Sequence, residues 1–272
     1  MSFENQIFFG DWADCIGGIP PGAINLVLTD PPYESTPCDW DKRPSWTPFM
    51  DAMGRLCGDS GQMWIFTRPP WCCDILLAGY RTGWSYVQEV IWEKQNAGGC
   101  TVGTFRKVHE NIWHFKRPKA RTFNLEAVRV PKLTDGNKSV RKRASSATQF
   151  IGALNSSYVD DGLRIPRSVV YCRNLHRSEE SLGHSTQKPL EVVLPLVLYS
   201  SNPGDMVFDP YCGTGTSLAA AKTCGRRWSG AEKDPEWHKV ATRRLELTVY
   251  EPSVGIARSD REAQGDGDLF GE

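Results

Sequence analysis

The sequence predicts an α/β protein built on a doubly wound, mostly parallel sheet. Three observations carry that prediction. Short apolar runs of strand character alternate with helical stretches at both ends of the chain, as in successive βαβ units. The apolar run 24–29 stops at Asp30-Pro31-Pro32-Tyr33. A second run, 206–208, leads into Asp209-Pro210-Tyr211-Cys212-Gly213-Thr214-Gly215-Thr216, a strand followed by a glycine loop and a helix. In open sheets of this kind ligands sit outside the carboxyl ends of the strands, which is where both loops fall.

Residues 6–9 form the first expected strand and 24–29 the second, followed by a mixed polar loop over 34–46. Trp40 and Trp46 in that loop suit either an aromatic lid or ordinary packing, since large aromatics are mostly buried for their area. A helix is expected over 48–57, a strand over 63–67, a helix over 70–78 and a long strand over 84–92. Residues 111–115 read as a further strand, the return arm of a hairpin. An apolar helix over 192–199 is begun by Pro189, a residue accepted in a first turn. After the strand 206–208, Thr216 or Ser217 is expected to cap the next helix. A strand over 228–232 and a helix over 235–249 complete the pattern.

Composition narrows the class. The chain has 272 residues, enough for one domain with an insertion and a sizeable core. Its formal net charge is +0, so any nucleic-acid surface must be local. Nine cysteines fall without a repeating Cys-x-x-Cys pattern, which favours reduced core thiols over a zinc site or a disulfide framework. No apolar run reaches membrane-spanning length and the amino terminus lacks secretory character, so the cytoplasm is the expected location.

The two loops carry the chemistry. Pro31 and Pro32 have fixed φ and no N–H, so they stiffen the turn and leave nearby carbonyls free to accept hydrogen bonds. One carboxylate, one fixed carbonyl and one aromatic face would grip a planar base bearing an exocyclic amine. A simple strand-ending turn is the competing reading. For the glycine loop, a phosphate-binding P-loop would need a lysine that is absent, and a dinucleotide fingerprint would need glycine where Leu218 stands. A nucleoside cofactor without a pyrophosphate remains. Glu232 ends a strand about 20 residues on, the spacing at which an acid reaches ribose hydroxyls.

Together these residues resemble the amino-methyltransferases of DNA, in the subgroup whose catalytic motif precedes the cofactor motif. Asp30, Pro31, Pro32 and Tyr33 match the catalytic motif. Asp209, Tyr211, Gly213, Thr214, Gly215 and Thr216 match the S-adenosylmethionine loop, with Tyr211 where phenylalanine is usual. Glu232 matches the ribose-binding acid, and Gly10-Asp11 resembles the segment that recognises the cofactor's adenine. His184-Ser185-Thr186-Gln187-Lys188-Pro189 resembles the motif before the cofactor strand, which puts Lys188 among the cofactor-binding residues. The resemblance spans about 5–247. It implies a methyltransferase fold with a seven-stranded sheet, one antiparallel hairpin, and residues 116–183 inserted as a target-recognition segment of a domain covering 1–251. It also implies S-adenosylmethionine as cofactor, double-stranded DNA as partner and no metal.

The first half of that insertion is basic, which suits phosphate contacts. Lys116, Arg117, Lys119, Arg121, Arg141, Lys142 and Arg143 are the expected DNA-binding residues, a solvated loop being the alternative. Asp30 favours adenine N6 as the acceptor, because the family's cytosine-N4 enzymes more often carry serine there. Cytosine methylation and an idle DNA-binding protein on the same fold stay open. So does the oligomeric state, monomer or homodimer. Residues 252–272 are expected to be a disordered tail. Its Asp268-Leu269-Phe270 partly resembles the peptides that dock on the bacterial replication sliding clamp, a solvated terminus being the plainer reading.

Overall fold

The computed structural model describes residues 2–34, 41–95, 103, 105–131, 162–173, 175, 181–184 and 186–252. Trp40, Ser185, Lys132, Lys138, Arg141, Lys142, Arg143 and the tail beyond Pro252 lie outside the described residues. The strands are β1 (Gln6–Phe9), β2 (Leu26–Thr29), β3 (Gln62–Thr67), β4 (Ser85–Glu93), β5 (His109–Lys116), β6 (Val130–Pro131), β7 (Leu163–Arg164), β8 (Val169–Tyr171), β9 (Met206–Asp209) and β10 (Arg227–Glu232). The α-helices are α1 (Trp12–Cys15), α2 (Trp46–Cys57), α3 (Trp71–Arg81), α4 (Leu190–Ser200), α5 (Thr216–Thr223) and α6 (Pro235–Leu247).

Eight strands form the main sheet in the order β1-β10-β9-β2-β3-β5-β4-β8, and β5 alone runs against its neighbours. Seven were expected. The eighth, β8, is a three-residue strand laid parallel on β4, too short to show a period in the sequence. Strands β6 and β7 form a separate two-stranded ribbon.

The strand order reverses between β2 and β9, which pair through Leu26↔Val207 and Val27↔Phe208. From β2 the chain winds outward to β3, and from β9 it winds the other way to β10. Asp30 and Asp209 therefore emerge side by side at the switch point, the usual ligand crevice of such sheets.

Both faces of the sheet are covered, so its central strands are apolar throughout. In β2, Val27 packs under α2 and α3 with Met63, Ile65 and Phe49, while Leu26 and Leu28 face α4 with Trp64, Phe66 and Val197. Side chains alternate faces along a strand, and each such fully buried chain contributes roughly 1.5–3 kcal/mol. His114 of β5 is buried in the second layer, stacked on Trp64 with centroids 4.1 Å apart, its Nε2 2.8 Å from Gln62 Oε1. Burial drops its pKa to about 3, so it stays neutral.

Several boundaries differ from expectation for local reasons. Helix α2 starts at Trp46, not at Pro48, because a proline is tolerated through the first turn, where N–H groups lack partners anyway. Strand β2 starts at Leu26 because the Ile24 N–H bonds to Leu56 O outside the ladder. Neither Thr216 nor Ser217 caps α5; Gly215, at φ 77°, occupies the cap without a side-chain bond. No helix among the described residues is long and apolar enough to cross a membrane.

Candidate active site

The carboxyl edge of the sheet opens into one cleft of about 320 Å³. Its walls come from the ends of β1, β2, β9 and β10, the start of β5, and the turn before α4. It has two halves, one around the glycine loop and one around Asp30.

In the first half, the glycine loop is held from two sides. Gly213 lies at φ 51° with open space where a Cβ would point. Gly215 lies at φ 77°, and a Cβ there would come 3.0 Å from Leu245 Cδ2 and 3.3 Å from Ala241 Cβ on α6. The Glu232 carboxylate closes the loop against β10: Gly213 N–H donates to Oε2 at 2.9 Å and Asp234 N–H to Oε1 at 2.8 Å. Burial raises the Glu232 pKa, and these backbone donors pull it back. Asp209 is more enclosed. The Ser217 hydroxyl and the Tyr211 N–H donate to it, yet burial lifts its pKa to about 7. Asp11 is committed locally, accepting from Ala13 N–H at 3.0 Å as the cap of α1. Tyr211 packs on Trp12 and Phe49. Thr214 and Thr216 line the cleft, and Arg244 donates to the Thr216 hydroxyl at 2.8 Å.

Gly230, which the sequence did not mark as functional, explains how close these layers come. A Cβ there would stand 2.9 Å from the Asp209 carbonyl and 2.7 Å from Leu218 Cδ1. Only a glycine lets β10, β9 and α5 meet at that point.

In the second half, Asp30 accepts a hydrogen bond from the Tyr33 hydroxyl on one carboxylate oxygen and from Lys188 Nζ on the other. Lys188 also stands 3.5 Å from Glu110 Oε2, and Lys94 pairs with Glu110 Oε1. A chain of alternating charge, Asp30, Lys188, Glu110, Lys94, thus runs along the wall. Burial opposes charge on Lys188, but the two carboxylates beside it outweigh this and raise its pKa. Burial likewise opposes charge on Glu110, and Lys188 and Lys94 hold its pKa below the usual value. For Asp30, burial raises the pKa while Lys188 draws it back.

The backbone of Tyr33 is fixed at both polar groups. Its N–H donates to Asp41 Oδ1 at 2.8 Å, and Trp71 Nε1 donates to its carbonyl at 2.7 Å. Glu34 N–H reaches the same Asp41 oxygen at 3.0 Å. The stiff Asp-Pro-Pro-Tyr turn is therefore anchored from outside as well as by its prolines.

The structure brings Asp30, Pro31, Pro32, Tyr33, Asp11, Lys188, Asp209, Tyr211, Gly213, Thr214, Thr216 and Glu232 to one cleft, with Gly215 shaping the loop behind it. Two placements differ from expectation. Lys188 belongs to the Asp30 half, not to the glycine-loop half, because its ammonium is held between two carboxylates. Lys116, Arg117, Lys119 and Arg121 lie at the opposite edge of the sheet, because the antiparallel β5 carries the chain away from the cleft: its end pairs with the start of β3 through Gln62↔Lys116. Arg117 there supports the fold, donating to Gly58 O at 2.9 Å and Thr82 O at 2.8 Å and packing on Trp84. Lys119 pairs with Asp59 at 2.8 Å, and Arg121 donates to Ala120 O at 2.9 Å. Asp41, Trp71, Lys94 and Glu110 were missed. The available signal was for Glu110: the first residues of an antiparallel strand fall at the edge where parallel strands end.

A doubly wound sheet with a glycine loop, an acid-ended neighbouring strand and Asp-Pro-Pro-Tyr at the switch point defines a group-transfer enzyme that uses a nucleoside cofactor. The family model described as DNA methylase, for the N6 and N4 enzymes, matches residues 24–243, and the chain belongs to that family. Its methyl donor is S-adenosylmethionine. The chain is similar to the Type II methyltransferase M1.MboII of Moraxella bovis, 26% identical over 250 residues, covering 86% of this chain and 93% of that protein. It is also similar to the DNA adenine methyltransferase YhdJ of Escherichia coli K12, 25% identical over 276 residues, covering 95% and 88%. Among solved structures, the M1.HpyAVI–SAM complex shares the fold with a TM-score of 0.62 at 21% identity, over 89% of this chain and 99% of that one. The cytosine-N4-specific PvuII DNA methyltransferase shares it with a TM-score of 0.64 at 15% identity, over 89% and 86%.

Proposed function

We propose that this protein is a sequence-specific adenine-N6 methyltransferase of double-stranded DNA. The observation that carries the reading is the Asp30 carboxylate, oriented by Tyr33 and Lys188 within the same cleft as the Gly213 loop and Glu232.

The glycine-loop half fits S-adenosylmethionine. Glu232 closes the loop with one lone-pair direction on each oxygen, leaving others for two ribose hydroxyls. The Gly10-Asp11 turn and Trp12 form the wall suited to the cofactor's adenine. When bound, the cofactor supplies an electrophilic methyl group on a sulfonium.

The Asp30 half prepares the acceptor. An exocyclic adenine amine is a poor nucleophile because its lone pair is delocalised into the ring. The Asp30 carboxylate and the Pro31 carbonyl accept its two hydrogens, which favours a pyramidal nitrogen with a localised lone pair. Each Asp30 oxygen is used once in the structure, and a carboxylate oxygen accepts more than one bond, so the amine does not have to displace Tyr33 or Lys188. Lys188 opposes the rise that burial imposes on the Asp30 pKa and places its charge. The protein thus contributes positioning and electrostatics more than basicity. A base inside a duplex cannot reach this cleft, so the target must flip out, and the Tyr33 ring is the face on which it stacks.

Adenine is favoured by aspartate at position 30 and by the name of the YhdJ relative. The fold shared with a cytosine-N4 enzyme makes N4-methylcytosine the alternative product. Incubation of unmethylated DNA with labelled cofactor, followed by digestion to nucleosides, tests the reading: label belongs in N6-methyldeoxyadenosine.

A further inference from the structure

We propose that Arg68 and Lys107 form the binding site for a backbone phosphate of the DNA strand that carries the acceptor base. This rests on the methyltransferase reading above and assigns DNA contacts at the cleft itself, away from the basic residues 116–121 at the opposite edge.

Arg68 directly follows β3, and Lys107 stands two residues before β5. These strands pair antiparallel through Thr67↔Asn111, so the end of one and the start of the other meet at the Asp30 half of the cleft. Both side chains line it. The charges along that wall do not balance. Lys188 and Lys94 are matched by Asp30 and Glu110, whereas Arg68 and Lys107 form no ion pair among the described residues. Arg68 Nε is moreover buried without a hydrogen-bond partner among the described residues. A guanidinium keeps its protons, so a buried, unpaired N–H of this kind calls for an acceptor. Partial desolvation of the otherwise exposed Lys107 lowers its pKa, and the like charges of Arg68 and Lys94 add to the effect against the opposing Glu110, a repulsion that a bound anion relieves.

The anion this site fits is a phosphodiester. A flipped nucleotide swings about its own backbone, so its flanking phosphates arrive at the mouth of the pocket that takes the base. The planar Arg68 fork matches two phosphate oxygens and the Lys107 ammonium adds a mobile point charge. Anchored there, the phosphate would hold the sugar while Asp30 and Pro31 hold the amine.

The test is the salt dependence of binding to a 30-base-pair duplex, measured by fluorescence anisotropy for wild type, R68Q, K107Q and the double variant. Each lost phosphate contact should reduce the slope of log affinity against log salt by about 0.9, and the double variant by about 1.8. Calorimetric S-adenosylmethionine affinity should not change, and K119Q, at the far edge, should keep the wild-type slope. Wild-type slopes in R68Q and K107Q would overturn the proposal, as would weakened cofactor binding with an unchanged slope, which would make the anion the cofactor's own carboxylate. If R68Q does not fold, K107Q decides alone, since its side chain is exposed. Failure of wild type to methylate any DNA would instead defeat the underlying reading, an outcome seen before any variant is made.

Discussion

Replacing Lys188 with methionine removes the central charge of the cleft at nearly constant volume. Lys188 is 8% exposed, and its ammonium touches both Asp30 and Glu110. Without it, two carboxylates face each other across the wall. Breaking a buried pair in this way costs about 3–5 kcal/mol. The lower end applies here, because Glu110 keeps Lys94, Asp30 keeps the Tyr33 hydroxyl, and Asp30 and Glu110 are 21% and 18% exposed. A loss of about 3 kcal/mol in a domain of this size lowers Tm by roughly 6–12 °C. The effect on turnover has a sign. Burial and Glu110 already raise the Asp30 pKa, and removing Lys188 leaves them unopposed except by Tyr33. Asp30 then binds its proton at higher pH, and a protonated carboxyl is a poorer acceptor for the amine. Methyl transfer by K188M should fall most at low pH and recover as pH rises, moving the acid limb of the profile upward. Thermal melts and single-turnover rates from pH 6 to 9 measure both effects. A Tm within 2 °C of wild type with a superimposable pH profile would refute the charge-chain account.

Glu232→Ala should weaken S-adenosylmethionine binding by about 1.5–3 kcal/mol per charged hydrogen bond lost, with DNA still bound; unchanged affinity by calorimetry would remove Glu232 from the cofactor site. Gly213→Ala should incur only the left-handed backbone penalty of about 1–2 kcal/mol, whereas Gly215→Ala should be worse in urea melts because its Cβ meets Leu245 and Ala241; equal losses would contradict the packing. His114 is neutral in the fold with a pKa of about 3 and takes a proton on unfolding below its ordinary value of 6.5, so its stabilisation is complete above that value and declines as pH falls. Between pH 7 and 5 this removes about 2 kcal/mol, which urea midpoints would show and which H114F should lack.

The sheet was legible because buried parallel strands are continuous apolar runs, and the cleft was legible because Asp30 to Tyr33 and Asp209 to Thr216 are contiguous in the chain. What connects them was not. Asp41 reaches Tyr33 from 8 positions away, and Glu110 meets Lys188 from 78 positions away, pairings that only the fold creates. The location of the basic stretch was hidden for a related reason: charge density is visible in sequence, but the direction of β5 decides which edge residues 116–121 occupy. Arg68 and the short Arg106-Lys107 pair gave no such density, and Arg68 and Lys107 stand at the cleft itself.

The central claim is that Asp30 prepares an adenine amine in DNA for methyl transfer. Its most direct test combines labelled S-adenosylmethionine, unmethylated genomic DNA and digestion to nucleosides, for wild type and D30A in parallel. The account predicts label in N6-methyldeoxyadenosine with wild type, and with D30A a loss of orders of magnitude while cofactor affinity holds. Label in N4-methyldeoxycytidine would contradict the assigned base, and near-normal transfer by D30A would contradict the assigned mechanism.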